Sequence, residues 1–324
     1  MKRREFITLI GGAAAWPVMA RAQQRAPGIA ILISGAADSS AILVDAFKKG
    51  MSDNGMVETR DYVLDVRFAD GNYNRFPMLA AEVAQRKPAA IVVSTISAAL
   101  AAQRASATIP IVMTGLIDPV GAGLITSLAR PGGNTTGMSS MAQDMTSKGL
   151  ELLQTAVPTA RTIAALFNPA NAGNRQIMED VRTQANTLGV TILPVEFKEP
   201  ATLDATFDAA ASLHPDALLV VGDATLIDLR ERIAALALRH RLPTVSSIPE
   251  LTDAGGLIGY GPPRREMYRR AANYVKKVLD GAAPANLPVE QPTLIELSIN
   301  LKTAKALGLT IPESLLLRAN KLIE

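Results

Sequence analysis

The same strand-and-helix unit occurs twice along this chain, and that repeat limits what it can fold into more than any other feature. Runs of consecutive apolar residues at 29–33, 62–68, 90–93 and 111–113 are followed, about 130 residues on, by runs at 163–167, 190–196, 217–221 and 244–245. Longer amphipathic stretches lie between them, at 41–54, 76–86, 148–156, 175–188 and 226–240. Short apolar runs alternating with helical stretches predict βαβ units, and runs apolar at successive positions predict strands covered on both faces. Local wording repeats as well: Pro88-Ala89-Ala90-Ile91-Val92-Val93 is echoed by Pro215-Asp216-Ala217-Leu218-Leu219-Val220, and Ile109-Pro110-Ile111-Val112 by Leu242-Pro243-Thr244-Val245.

Two such units predict an α/β protein with two Rossmann-like lobes, each built on a parallel sheet. Gly132-Gly133 and Gly255-Gly256 follow the fourth strand of each half and lead into extended stretches at 135–139 and 257–260, which read as connections between the lobes. A helix at 264–279 then returns to the first lobe, a proline-rich linker covers 282–292, and a last strand and helix occupy 294–299 and 301–307. The lobes are thus expected to be joined by a multi-strand hinge, with 23–138 plus 260–290 in lobe 1 and 139–259 plus 291–324 in lobe 2.

Residues 1–22 read as a cleavable export signal: Lys2, Arg3 and Arg4 precede an apolar stretch at 6–19 that ends in Ala20-Arg21-Ala22. The adjacent arginines and the mild Gly/Ala-rich core favour the twin-arginine type. The apolar stretch is shorter than the roughly 20 residues needed to span a bilayer, and nothing later in the chain offers a span. Cleavage near Ala22 would therefore release a chain with no membrane insertion of its own, into the periplasm. It would also remove Lys2, Arg3, Arg4 and Arg21 against Glu5, a net +3 that equals the formal charge of all 324 residues. A neutral remainder lacks the electrostatic footprint of a nucleic-acid-binding protein. With no cysteine and two histidines, the chain offers no thiolate metal site, no cysteine nucleophile and no lipid-anchored cysteine, so no metal or cofactor is expected.

In open α/β sheets a ligand sits beyond the carboxyl ends of the strands, where loops meet helix amino termini. Small polar residues recur at those positions. Ser34-Gly35, Ser94-Thr95-Ile96-Ser97-Ala98 and Thr114 with Asp118 follow strands of the first half; Asn168 with Asn171 and Asn174, Gly222-Asp223 and Ser246-Ser247 follow strands of the second. Facing each other across a cleft, they would present many hydrogen-bonding groups and few permanent charges, which suits a small polar solute. Ser94 to Ala98 is the candidate anion contact, since free amides at a helix start attract a carboxylate and the hydroxyls of Ser94, Thr95 and Ser97 add donors. Asp118 and Asp223 are candidate partners for an ammonium group. Tyr260, between Gly259 and Gly261, is a candidate aromatic contact at the hinge, and Tyr73 one at the cleft mouth. The same residue types cap helices and open turns without any ligand, so each position also has a purely structural reading.

Four longer stretches are similar to one known family: Ala69-Asp70-Gly71-Asn72-Tyr73-Asn74-Arg75-Phe76-Pro77, Asp118-Pro119-Val120-Gly121-Ala122-Gly123-Leu124, Arg130-Pro131-Gly132-Gly133-Asn134-Thr135-Thr136-Gly137, and residues 299–309 from Ile299-Asn300-Leu301 onward. In this order they resemble the periplasmic substrate-binding proteins of ABC transporters, in the family with tryptophan-binding and tyrosine-binding members. The resemblance implies a type I periplasmic-binding fold that closes on a small carboxylate-bearing solute, an amino acid or an aromatic or organic acid, and delivers it to an inner-membrane ABC permease. It places the Ser34-Gly35 loop, Ser94 to Ala98, Thr114 with Asp118, Asn168 and Gly222-Asp223 at the cleft. The chain departs from the family at Ser246-Ser247, where charged and aromatic residues are frequent, and at Ala170 and Gly173 in the asparagine-rich loop.

Two other readings share this fold: a sensor module that presents its ligand to a membrane receptor, and a two-lobed enzyme. Against the enzyme, no cysteine pair, G-x-G-x-x-G, Walker or G-x-S-x-G pattern occurs, and His214 and His240 fall at element junctions. No catalytic residue is expected.

Overall fold

The computed structural model describes residues 26–324; the export signal read over 1–22 lies outside the described residues. The first sheet is built from β1 (Gly28–Ile33), β2 (Val63–Phe68), β3 (Ala90–Val93), β4 (Ile111–Ile117) and β5 (Thr135–Ser140), all parallel, in the order β2-β1-β3-β4-β5. Helices α1 (Ala37–Asp53), α2 (Phe76–Gln85) and α3 (Ile96–Ala105) connect its strands. Alternate residues of β1 serve opposite faces. Ile29, Ile31 and Ile33 join Leu43, Phe47 and Met51 of α1, while Ala30 and Leu32 join Phe76 and Leu79 of α2. This two-sided burial is why the strand is apolar at successive positions.

After α4 (Ala142–Ala156) the pattern repeats: β6 (Thr162–Phe167), α5 (Ala172–Leu188), β7 (Thr191–Glu196), α6 (Leu203–Ala211), β8 (Ala217–Val220), the short α7 (Ala224–Asp228), α8 (Arg230–Arg239), β9 (Thr244–Ser246), α9 (Glu250–Asp253) and β10 (Ile258–Gly261). Within the second sheet the run β7-β6-β8-β9-β10 reproduces the strand order of the first, so the repeat seen in the sequence is a repeat of topology. The amphipathic stretch at 226–240 is two helices, because Asp223 caps a first turn that ends before α8 begins.

The chain crosses between lobes three times. It leaves the first sheet after β5, leaves the second after β10 through Gly261-Pro262-Pro263, and returns through the segment at 280–295. Between the last two crossings, α10 (Arg264–Leu279) packs Met267, Tyr268, Ala271 and Val275 onto the α1 face of the first sheet. On the third crossing the amide of Glu290 donates to the Gly137 carbonyl at 3.0 Å and Ser139 donates to the Glu290 carbonyl at 2.9 Å, extending the first sheet beside β5. The second sheet then gains β11 (Glu296–Asn300), antiparallel to β10, and α11 (Leu301–Leu307), the last strand and helix expected from the sequence; α12 (Glu313–Leu316) and β12 (Lys321–Ile323) follow and were not anticipated. β5 stays hydrogen-bonded in the first sheet as far as Ser140, and β10 in the second as far as Gly261.

Two glycines matter to this frame. Gly137 in β5 has φ +122°, and a Cβ there would lie 2.5 Å from the Met113 backbone. Gly115, at φ +108°, makes the β4 bulge between Thr114 and Leu116, and a Cβ there would lie 2.7 Å from Met267 Cε of α10. The bulge turns the end of β4 toward the other lobe.

Candidate functional site: the cleft between the lobes

A strand order of 2-1-3-4-5 reverses direction between its first and third strands, and loops leaving that point diverge to open a crevice. In the first lobe the point lies between β1 and β3. The Ser34 amide donates to Ser94 Oγ and Ser94 Oγ donates to the Leu32 carbonyl, both at 3.3 Å, so the Ser94 hydroxyl ties the two strand ends together. Thr95 caps α3, its Oγ1 accepting from the Ala98 amide at 3.2 Å. Helix geometry leaves the amides of Ile96 and Ser97 without an intrahelical partner. In the second lobe the corresponding point lies between β6 and β8, and Asn168, Asn171, Gly222 and Asp223 stand there.

Between the two edges is a cavity of about 110 Å³. Ser94, Thr95, Thr114 and Gly115 line it from the first lobe, and Asn171, Gly222, Asp223 and Ser247 from the second. Apolar wall comes from Ile96, Leu116, Ile117 and Ile248. The amino-terminal end of α10 forms the remaining side with Arg264, Met267 and Tyr268.

Arg264 and Tyr268 bring a guanidinium and a phenol to this wall. The Arg264 backbone amide donates to Glu250 Oε1 at 2.9 Å, but its guanidinium lies within 4.0 Å of no carboxylate among the described residues. A helix dipole disfavours a cation at this end, so the helix itself gives no reason for an arginine here. Tyr268 is 2% exposed, and its hydroxyl is buried near those of Ser94 and Thr114 with no hydrogen-bond partner among the described residues. Burial raises its pKa, so it stays a neutral phenol able to donate. The cavity therefore offers one unpaired cation, one orphaned hydroxyl and a helix amino terminus.

Asp223 is differently placed. Its Oδ1 accepts from Asn168 Nδ2 at 3.1 Å and from the amides of Thr225 and Leu226 at 2.9 and 3.3 Å. Its Oδ2 accepts from Asn171 Nδ2 at 2.9 Å and from the Tyr73 hydroxyl of the other lobe at 2.8 Å. Five protein donors thus share a carboxylate with about four lone-pair sites. Burial first, and then the Asp223 charge, hold the Tyr73 phenol well above its ordinary pKa. A second contact between lobes lies nearby, where Asp228 meets the start of α1: a Cβ on Gly35 would fall onto the Asp228 carboxylate. Burial raises the Asp228 carboxyl, against the lowering influence of the Ser39 hydroxyl, Arg264, the Ala36 amide and Arg230.

Of the residues singled out in the sequence, Ser94, Thr95, Thr114, Gly222 and Asp223 line the cavity. Tyr73, Ser97 and Asn168 line a groove farther along the seam, where Tyr73 and Asn168 hold Asp223. Ser34 and Gly35 lie at the start of α1, and Ala98 is buried with its amide on Thr95. Asp118 faces a separate cavity behind Ile96 and Ile117, and its Oδ1 accepts from the Gly121 amide at 2.9 Å. Ser246 Oγ accepts from the Ile248 amide at 3.1 Å within the second lobe, leaving Ser247 at the cavity. Tyr260 packs against the core of the second lobe. Arg264, Met267 and Tyr268 were missed. The available signal was an arginine at the first turn of a helix directly after the Pro262-Pro263 crossing.

Among the described residues no cluster of three or more His, Asp or Glu side chains could hold a metal, and no helix is long and apolar enough to cross a membrane. The family described as ABC transporter substrate binding protein matches residues 28–323. The tyrosine-binding protein of Clostridioides difficile (strain R20291) is 26% identical over 265 residues, covering 81% of this chain and 75% of that protein. A solved ABC domain from Streptococcus pneumonia in complex with L-Trp aligns at a TM-score of 0.84 with 24% identity, over 92% of this chain and all of that one. A conserved domain protein from Vibrio cholerae O1 biovar El Tor aligns at 0.85 with 26% identity, over the same shares. With two α/β lobes of repeated topology, a cleft between their strand ends and a family match over nearly every described residue, the chain belongs to the ABC transporter substrate-binding proteins.

Proposed function

We propose that this protein is the periplasmic capture component of an ABC importer, and that it takes a small carboxylate-bearing solute into the cleft between its lobes. The observation that carries this reading is the unpaired Arg264 guanidinium in the cavity wall, beside the orphaned Tyr268 hydroxyl and the start of α3. A planar guanidinium matches a carboxylate in a bidentate pair, and helix-start amides add to the field. A relative that binds tyrosine and a fold neighbour holding L-Trp support a carboxylate-bearing ligand class.

Hinge closure follows from the two-sided lining. A solute touching Ser94 and Arg264 on one side and Asn171 and Ser247 on the other binds the closed form better, so it shifts the population toward that form. The closed form is what a permease partner would recognise.

The test is calorimetry on residues 23–324, unfolded and refolded to remove solute, against a panel of carboxylates and their neutral analogues. A carboxylate should bind, and Arg264→Gln should weaken it about 30-fold or more, the usual cost of truncating a buried charge pair. Equal affinity for neutral analogues, or no effect of Arg264→Gln, would remove the proposal.

A further inference from the structure

The charges around the cavity distinguish between two kinds of carboxylate-bearing solute. A zwitterionic amino acid needs an anionic or carbonyl-rich partner for its ammonium group as well as a cationic one for its carboxylate. Asp223 is the one carboxylate that lines the cavity among the described residues, and its oxygens are already held by Asn168, Asn171, Tyr73 and two backbone amides. An ammonium group could reach it only by displacing a donor, leaving that donor buried and unpaired.

The other nearby carboxylates do not substitute. Asp228 is engaged at the start of α1, Asp118 lies behind Ile96 and Ile117 in its own cavity, and Glu250 is outside the cavity wall with Oε1 on the Arg264 amide. Glu250 Oε2 is buried without a partner, but it too lies outside the lining. A bound ammonium would therefore feel the Asp223 charge but find no free carboxylate oxygen to accept its N–H groups, in the same enclosed space as the Arg264 guanidinium. Burying N–H donors without acceptors, next to a second cation, is costly for a binding site.

We propose that the solute is an organic anion without an ammonium group: a small monocarboxylate whose acid group lies on Arg264, Tyr268 and the α3 terminus, and whose remainder packs on Ile117, Ile248 and Met267. This rests on the carboxylate reading above and narrows it. Hydroxyl or ring substituents would be served by Ser94, Thr114, Asn171 and Ser247.

Matched pairs that differ only in the amine test it: 3-phenylpropionate against phenylalanine, 3-(4-hydroxyphenyl)propionate against tyrosine, indole-3-propionate against tryptophan, and pentanoate against norvaline. Each is titrated calorimetrically into refolded protein at neutral pH, alongside the corresponding primary amides. In every pair that binds, the acid lacking the amine should bind at least tenfold more tightly, and Arg264→Gln should weaken that binding about 30-fold or more. An amino acid that binds as tightly as its partner acid, or more tightly, overturns this inference while leaving the carboxylate reading in place. Binding of the amides alone, or of no acid in any pair, overturns the carboxylate reading and this inference with it. Tyr268→Phe serves as the second variant: it should weaken the acid several-fold while the protein stays folded, and an unchanged affinity would count against the assigned pose.

Discussion

The Tyr73 hydroxyl donates to Asp223 Oδ2 at 2.8 Å, joining two residues 150 positions apart and on opposite lobes. It makes Asp223 a tie between the lobes as well as the cap of α7 and the anchor of the asparagine loop. In the closure proposed above, a contact made only when the lobes are together sets the balance between open and closed arrangements.

Tyr73→Phe keeps the ring and removes this tie. A hydrogen bond to a charged group contributes about 1.5–3 kcal/mol, so the ligand-free population should move toward open. Small-angle scattering should show a larger radius of gyration than the parent, restored by saturating solute. Apparent affinity falls by the fraction of closed-competent protein lost. Identical scattering from the two proteins would show that the tie does not govern closure.

Tyr268→Phe should separate binding from folding. The hydroxyl it removes is buried without a protein partner, and such a group costs about 1–3 kcal/mol to bury. Urea denaturation should therefore find the variant as stable as the parent or slightly more so, while its affinity for solute falls. Loss of stability would mean that the hydroxyl is already satisfied in the folded protein.

Gly35→Ala should act as a wedge. Its backbone is not in the left-handed region, so alanine can adopt its conformation, but the added methyl would collide with the Asp228 carboxylate of the opposite lobe. Ser40 Oγ, 2.8 Å from the same point, belongs to the same lobe and can rotate aside, whereas Asp228 comes from the opposite lobe, so relief there favours separating the lobes. The expected outcome is an expanded protein in scattering with little change in the denaturation midpoint. A compact variant with unchanged affinity would contradict this placement.

Closure should depend on pH through Asp228. Burial against the other lobe raises its pKa above the ordinary 3.8, and separating the lobes in the proposed opening should return it toward that value. The closed form therefore holds the proton more tightly. Closure is favoured as pH falls through the raised value toward 3.8, and is insensitive to pH well above it. Scattering or a fluorescence pair across the lobes, followed from about pH 7 to about pH 4.5, should register compaction that is absent in Asp228→Asn. The same slope in that variant would assign the effect to another group.

Much of this architecture was legible before any coordinates. The echo between 88–93 and 215–220 reported a repeat that is literally one strand order used twice, because strands buried on both faces must be apolar throughout and short loops must turn at fixed places. Strand ends are where glycine and small polar residues accumulate, so Ser94, Thr114, Gly222 and Asp223 could be named from position alone. Two features were not legible. Asp223 looked like a free carboxylate because its donors come from residues 73, 168 and 171, and local sequence does not report that several donors will converge on one group. In the sequence Arg264 is only the first residue of a helix returning to the first lobe. Only the path of the chain, out through β10 and back along α1, turns that helix end into a wall of the cleft. Sequence determined the elements and their ends, since propensity, burial and turn chemistry are local. Tertiary structure decided which charge stands unpaired at the cavity and which is consumed by the protein, since that depends on groups brought together across long separations.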